Sequence, residues 1–191
     1  MKELNDTNVL QENAPKVFVA LARFLSAEQL DRLAAEYCHC VRLGGNVEPG
    51  LVRQEGASFN PRLARVLSLL TADGGIRNFT TLRAAIYAAS VGEFPEALLD
   101  EVPVELLELV TNVSKNEFVQ PDSVLIRGVI VLDTLRHLHQ TDLSVQQRTE
   151  QLLALKEQLL GKPGEICPEW LRKKLEHAIT LQMRRLDIER P

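Results

Sequence analysis

Long apolar runs are missing from this chain, and none approaches the roughly 18 residues that would suggest a membrane span. A positively charged start followed by an apolar stretch is missing too, so no secretory signal is expected. Cysteine is scarce: an odd three residues in 191 suits a reducing compartment better than a disulfide framework. There is no basic excess, and a formal net charge of -4 argues against a dedicated nucleic-acid binder. With four histidines and one tryptophan, no complete catalytic set can be assembled from the sequence. These absences read as a soluble, cytoplasmic chain with no membrane association, no cofactor and no metal.

What is present is ordinary globular material, 45% apolar and 25% charged. A chain of this length buries roughly 70% of its unfolded surface and needs no disulfide or metal to fold. Residues 1–14 are polar and without period, and read as a flexible tail; 15–191 reads as a single helical domain.

Caps and stops punctuate that domain. Pro15 suits a first helical position, with Val17, Phe18, Leu21, Phe24 and Leu25 behind it. Ser26-Ala27-Glu28-Gln29 has the order of a capping box, and Gly44-Gly45 ends its helix. Residues 44–60 read as the longest loop. Asn60-Pro61 opens a helix that Asp73-Gly74-Gly75 stops, and Thr80 or Thr81 is expected to cap the next. Pro95 and Pro103 open two short helices. The most apolar segment, Val124 to Leu138, holds a β-branched Val129-Ile130-Val131-Leu132 run, yet its flanks keep helical spacing, which predicts a buried central helix. Ser144 with Gln147 starts one further helix, and Pro168 the last. The expectation is an all-α, compact bundle of about eight helices, ending over 143–190 in an antiparallel hairpin.

Candidate chemistry is thin. Glu36-Tyr37-Cys38-His39 puts Glu36 and His39 on one helical face, as in di-iron bundles, but no second copy of the motif exists. Cys38-His39-Cys40 lacks the spacing and the second cysteine pair of a zinc site. Gly161-Lys162-Pro163-Gly164 lacks the remainder of a phosphate loop, and no serine has nucleophile-elbow context. In Val131-Leu132-Asp133-Thr134-Leu135-Arg136-His137-Leu138-His139, Asp133 and His137 lie one helical turn apart. This stretch resembles the last metal-ligand helix of the HD phosphohydrolase superfamily, in which an aspartate precedes a Leu-x-x-Leu-type pattern. The resemblance implies an all-α phosphate-ester hydrolase, with Asp133, His137, Glu36 and His39 as candidate metal ligands. The family's defining His-Asp dipeptide is absent here, so a shared fold would lack most of that family's metal ligands.

Charge is unevenly spread. Between Glu93 and Asp122 the acids Glu93, Glu96, Asp100, Glu101, Glu105, Glu108, Glu117 and Asp122 face Lys115 alone. The final helix leans the other way, with Arg172, Lys173, Lys174, Arg184, Arg185 and Arg190 against Glu169, Glu176, Asp187 and Glu189. Opposite patches can steer a charged partner or pair two copies of the chain. Solvated helix faces explain both equally well. The last helix also carries Leu171, Leu175, Ile179, Met183 and Leu186 on one face, widened by Trp170 and Leu181, enough for a hairpin partner and another subunit. The leading expectation is a non-catalytic intracellular protein acting through protein contacts or self-association. Its interaction candidates are Trp170, Leu171, Leu175, Ile179, Met183, Arg184 and Arg185. The alternatives are the phosphohydrolase relative, active or degenerate, and a regulator that binds nucleic acid through the basic last helix.

Overall fold

The structure, a computed structural model, describes residues 16–45, 61–91, 99–115, 120–138, 143–160 and 167–189. Among them are eight α-helices, one π-helical turn and no strand. The expected tail at 1–14, most of the 44–60 loop and the helix opened by Pro95 lie outside the described residues. The chain divides into two compact units, 1–102 and 103–191, each with its own packing.

The first unit holds α1 (Lys16–Leu21), α2 (Ala27–Gly45), α3 (Pro61–Ser68) and α4 (Phe79–Val91). The capping box that starts α2 forms as expected: Ser26 N donates to Gln29 Oε1 at 3.1 Å, and Gln29 N to Ser26 Oγ at 3.2 Å. Pro61 opens α3 where its missing N–H costs nothing. The end of α3 was not anticipated. Leu69–Asp73 widens into a π turn, closed by Gly74 N donating to Leu69 O at 3.0 Å. Thr71 Oγ1 donates to Leu67 O at 2.8 Å within it, and Gly75 takes a φ of 65° that ends the run. The cap of α4 is neither threonine proposed for it. Asn78 Oδ1 accepts from Thr81 N at 3.0 Å, so Asn78 does the capping one residue before the helix begins.

Every residue of α4 from Thr81 to Val91 is buried, as expected of a helix surrounded on all sides. It packs on α2 and α3.

The second unit holds α5 (Val104–Lys115), α6 (Pro121–His137), α7 (Val145–Leu160) and α8 (Glu169–Glu189). The β-branched run of α6 is helical and buried, as its flanks required. The Ser144 cap of α7 forms, with Gln147 N donating to Ser144 Oγ at 3.3 Å and Ser144 N to Gln147 Oε1 at 3.0 Å. The terminal hairpin, α7 and α8, is present, and α8 rather than α7 provides most of its contact with α6. One residue lets α8 in closely. A Cβ on Gly128 of α6 would stand 2.7 Å from Leu171 Cδ2, so glycine is what this crossing accommodates. α5 also packs against α6, and Gln120 Nε2 donates to Glu108 Oε1 at 3.2 Å between them. Among the described residues no helix is long and apolar enough to cross a membrane.

Candidate interaction groove

The side chains proposed as metal ligands are tied into the packing of two separate units. Glu36 and His39 belong to α2, and Asp133 and His137 to α6. The Glu36 carboxylate faces Arg83 of α4, 47 residues away. Arg83 Nε lies 2.9 and 2.8 Å from the two carboxylate oxygens, and Nη2 donates to Oε1 at 2.6 Å. The Arg83 side chain is 4% exposed and that of Glu36 11%. This is a forked, charge-assisted pair inside the helical core. Phe79 stacks near the guanidinium, its ring centroid 5.4 Å away. His39 does not join Glu36: its Nε2 sits 3.6 Å from Glu101 at a half-exposed edge.

The second pair does meet. His137 Nδ1 lies 3.6 Å from Asp133 Oδ1, and closer still, 2.8 Å, to the Asp133 backbone oxygen. Asp133 is buried. The imidazole is therefore held against its own helix one turn back, at the end where the dipole favours donors. Among the described residues no group of three or more His, Cys, Asp or Glu could hold a metal ion.

All three thiols are free. Burial pushes the Cys40 thiol up to about 12, a Ser90 hydrogen bond opposing it and Glu36 adding to it. Burial raises Cys38 and Cys167 as well, against Arg42 and Arg172 respectively. Thiols held this way are poor nucleophiles at neutral pH.

The apolar stripe of α8 resolves into two roles. Leu171, Leu175, Ile179 and Leu186 are buried, while Met183 is exposed and Trp170 half-buried. The buried row includes Gln182, which reading the stripe as leucine and isoleucine missed. Its Nε2 donates to Leu135 O on α6 at 2.6 Å, satisfying one of the carbonyls near that helix's end.

Beside Gln182 the end of α6 and one face of α8 enclose an open groove of about 410 Å³. Its floor is Leu135, Ala178 and Gln182, and Leu181 stands at its edge, 41% exposed. Arg136, Lys173, Lys174, His177 and Arg185 line the remainder, with no carboxylate among the described lining residues. Lys173, His177 and Arg185 lie four and eight residues apart along α8, which puts them on one face. From Lys173 to Arg185 that face runs roughly 18 Å at 1.5 Å per residue. Lys173 Nζ meets Glu169 Oε1 at 2.7 Å, a contact between two well-exposed ends that salt and solvent weaken readily. Of the predicted interaction residues, Arg185 lines the groove and Arg184 is exposed beside it. Leu171, Leu175 and Ile179 are buried in the core and are not among the groove's lining residues. Arg136 and His177 were not singled out. The signal that could have found Arg136 is its place at the end of the most apolar helix, where a buried element meets solvent.

No family model, curated protein or solved structure matches this chain.

Proposed function

We propose that this protein is a non-catalytic, intracellular helical protein that works through protein contacts, and that the α6–α8 groove is the surface it uses. The observation that carries this reading is the groove's composition: a floor of Leu135, Ala178 and the buried Gln182 under the cations Arg136, Lys173, Lys174 and Arg185, with no acid among the described lining residues. Such a surface suits an acidic amphipathic helix, whose apolar face covers the floor while its carboxylates reach the rim. The side chains with catalytic potential support it differently. Glu36 is committed to Arg83, His137 to the Asp133 backbone, and the thiols are kept protonated by burial. Free cysteines fit a reducing, cytoplasmic setting.

The same cations favour one other reading, a nucleic-acid backbone lying along α8. Fluorescence anisotropy separates the two. The full chain is titrated against a labelled Glu-rich amphipathic helical peptide and, separately, a single-stranded DNA oligonucleotide, at low and physiological salt. The proposal expects peptide binding that Arg136→Glu/Arg185→Glu weakens at least about tenfold, with DNA binding weaker than peptide binding. DNA binding the tighter of the two, with a steep salt slope, would replace it with the nucleic-acid reading. Failure to bind the peptide at low salt would remove it.

A further inference from the structure

A groove that selects acidic, partly apolar helices raises the question of whether this chain carries one. In the second unit α5 packs on α6 and buries Leu106, Leu109, Val110 and Val113. Its other face points to solvent with an unusual composition. Val104 is 87% exposed and Leu107 39%, with exposed Glu105 and Glu108 beside them. That valine stands on a helix start flanked by carboxylates. On α5 the apolar pair Val104 and Leu107 lies three residues apart, as does the acidic pair Glu105 and Glu108. On α8, Leu181 follows Ala178 by three residues, and Arg185 follows Leu181 by four. Both rows therefore advance by about 5–6 Å per step, so acid can meet cation while valine and leucine meet Leu181. The charges are opposite, the spacings agree, and each surface exposes apolar residues that the other can cover.

We infer that α5 of one copy docks in the α6–α8 groove of a second copy. This rests on the reading of the groove as an interaction surface. Because α5 is already held against α6 by its buried face, it is a second copy that must supply the occupant. Donor face and acceptor groove are different surfaces, so the contact is head to tail. Two copies satisfy each other reciprocally if the geometry closes, and otherwise the chain extends into larger assemblies.

Sedimentation velocity of the full chain over a range of concentrations and salt tests this, with circular dichroism confirming that each variant folds. The wild type is expected to self-associate, less so as salt screens the rim. Val104→Asp changes a residue with almost no packing to lose and is expected to raise the dissociation constant about tenfold or more. Arg136→Glu/Arg185→Glu and Glu105→Lys/Glu108→Lys should each do the same alone. Mixed in equal amounts, those two charge-reversed chains should associate again, because each supplies what the other lost. A general loss of structure cannot produce that recovery. A wild type that stays monomeric at its highest soluble concentration in low salt would overturn the inference, and so would a mixture that fails to recover. If the acidic peptide still binds such a monomer, the groove reading stands and only the second-copy occupant is lost. If neither peptide nor self-association is seen, both fall.

Discussion

Replacing Glu36 with alanine removes the carboxylate that faces Arg83 Nε at 2.9 and 2.8 Å and Nη2 at 2.6 Å. What remains is a guanidinium whose side chain is 4% exposed, buried between α2 and α4 and deprived of the Glu36 carboxylate. Breaking a buried pair on one side costs about 3–5 kcal/mol, because the surviving charge keeps its desolvation penalty and loses what offset it. Against a total stability of about 5–15 kcal/mol that is a large fraction, and the melting temperature should fall by on the order of 10 °C. The neighbouring Arg32 sets the scale by contrast. It also reaches Glu36, at 3.4 Å, but it is half exposed, so Arg32→Ala should cost about 0.5 kcal/mol or less. Replacing both partners by apolar groups of similar size, Glu36→Leu with Arg83→Met, should cost far less than either single change, and is expected to be near neutral. Urea denaturation followed by circular dichroism, run as a double-mutant cycle, reads the coupling directly. Costs for Glu36→Ala and Arg83→Ala that simply add in the double variant would refute the reasoning, as would a Glu36→Ala cost below about 1 kcal/mol.

Two further outcomes follow from the packing. Gly128→Ala gains about 1 kcal/mol of helix propensity but drives a Cβ to 2.7 Å from Leu171 Cδ2, and overpacking of a buried site costs about 1–3 kcal/mol. The net is a loss of up to about 2 kcal/mol in wild type that turns into a gain of up to about 1 kcal/mol in a Leu171→Ala background; urea midpoints that show no such reversal would dismiss the close approach. Cys40 makes the protein lose stability in alkali. Its thiol ionises near 9.0 in the unfolded chain and only at about 12 when folded, so the unfolded state sheds its proton first. The stabilising contribution is complete below pH 9 and declines between there and about 12, by at most about 1.4 kcal/mol per pH unit. Cys40→Ala should flatten the stability profile across that interval, and an unchanged slope would place its origin elsewhere.

How far the sequence could be read depended on the range of the interaction. The capping boxes at Ser26 and Ser144 join residues three apart, so their residue types alone predict them, and both form. The helicity of α6 was legible because periodicity on its flanks outweighed the β propensity of four residues. The cap of α4 was misplaced by two or three positions, since asparagine and threonine both accept from an N-terminal amide and only the backbone path decides between them. The π turn at Leu69–Asp73 left no pattern to read. It depends on where Gly74 and Gly75 let the chain turn relative to Thr71, a three-dimensional condition.

Glu36 shows why the chemistry was harder to read than the fold. Beside His39 it has the spacing of a ligand motif, and nothing local reveals the arginine 47 residues on that claims its carboxylate. Gln182 is the complementary case. A glutamine on a face of leucines looks like an interruption, yet it is buried and capped onto the Leu135 carbonyl, which fixes the end of α6 against α8. That bond is also what sets the groove floor, with Leu135 on one side and Ala178 on the other. The basic character of α8 was visible from the sequence, but a charged helix by itself is only a solvated face. What changes its meaning is Arg136, brought from a different helix to the same rim, together with a floor that water covers poorly. Cations gathered from two elements beside Leu135, Ala178 and Leu181 are what the proposed docking reading rests on, and α5 of the same unit exposes the acidic and apolar side chains that the proposal pairs with them.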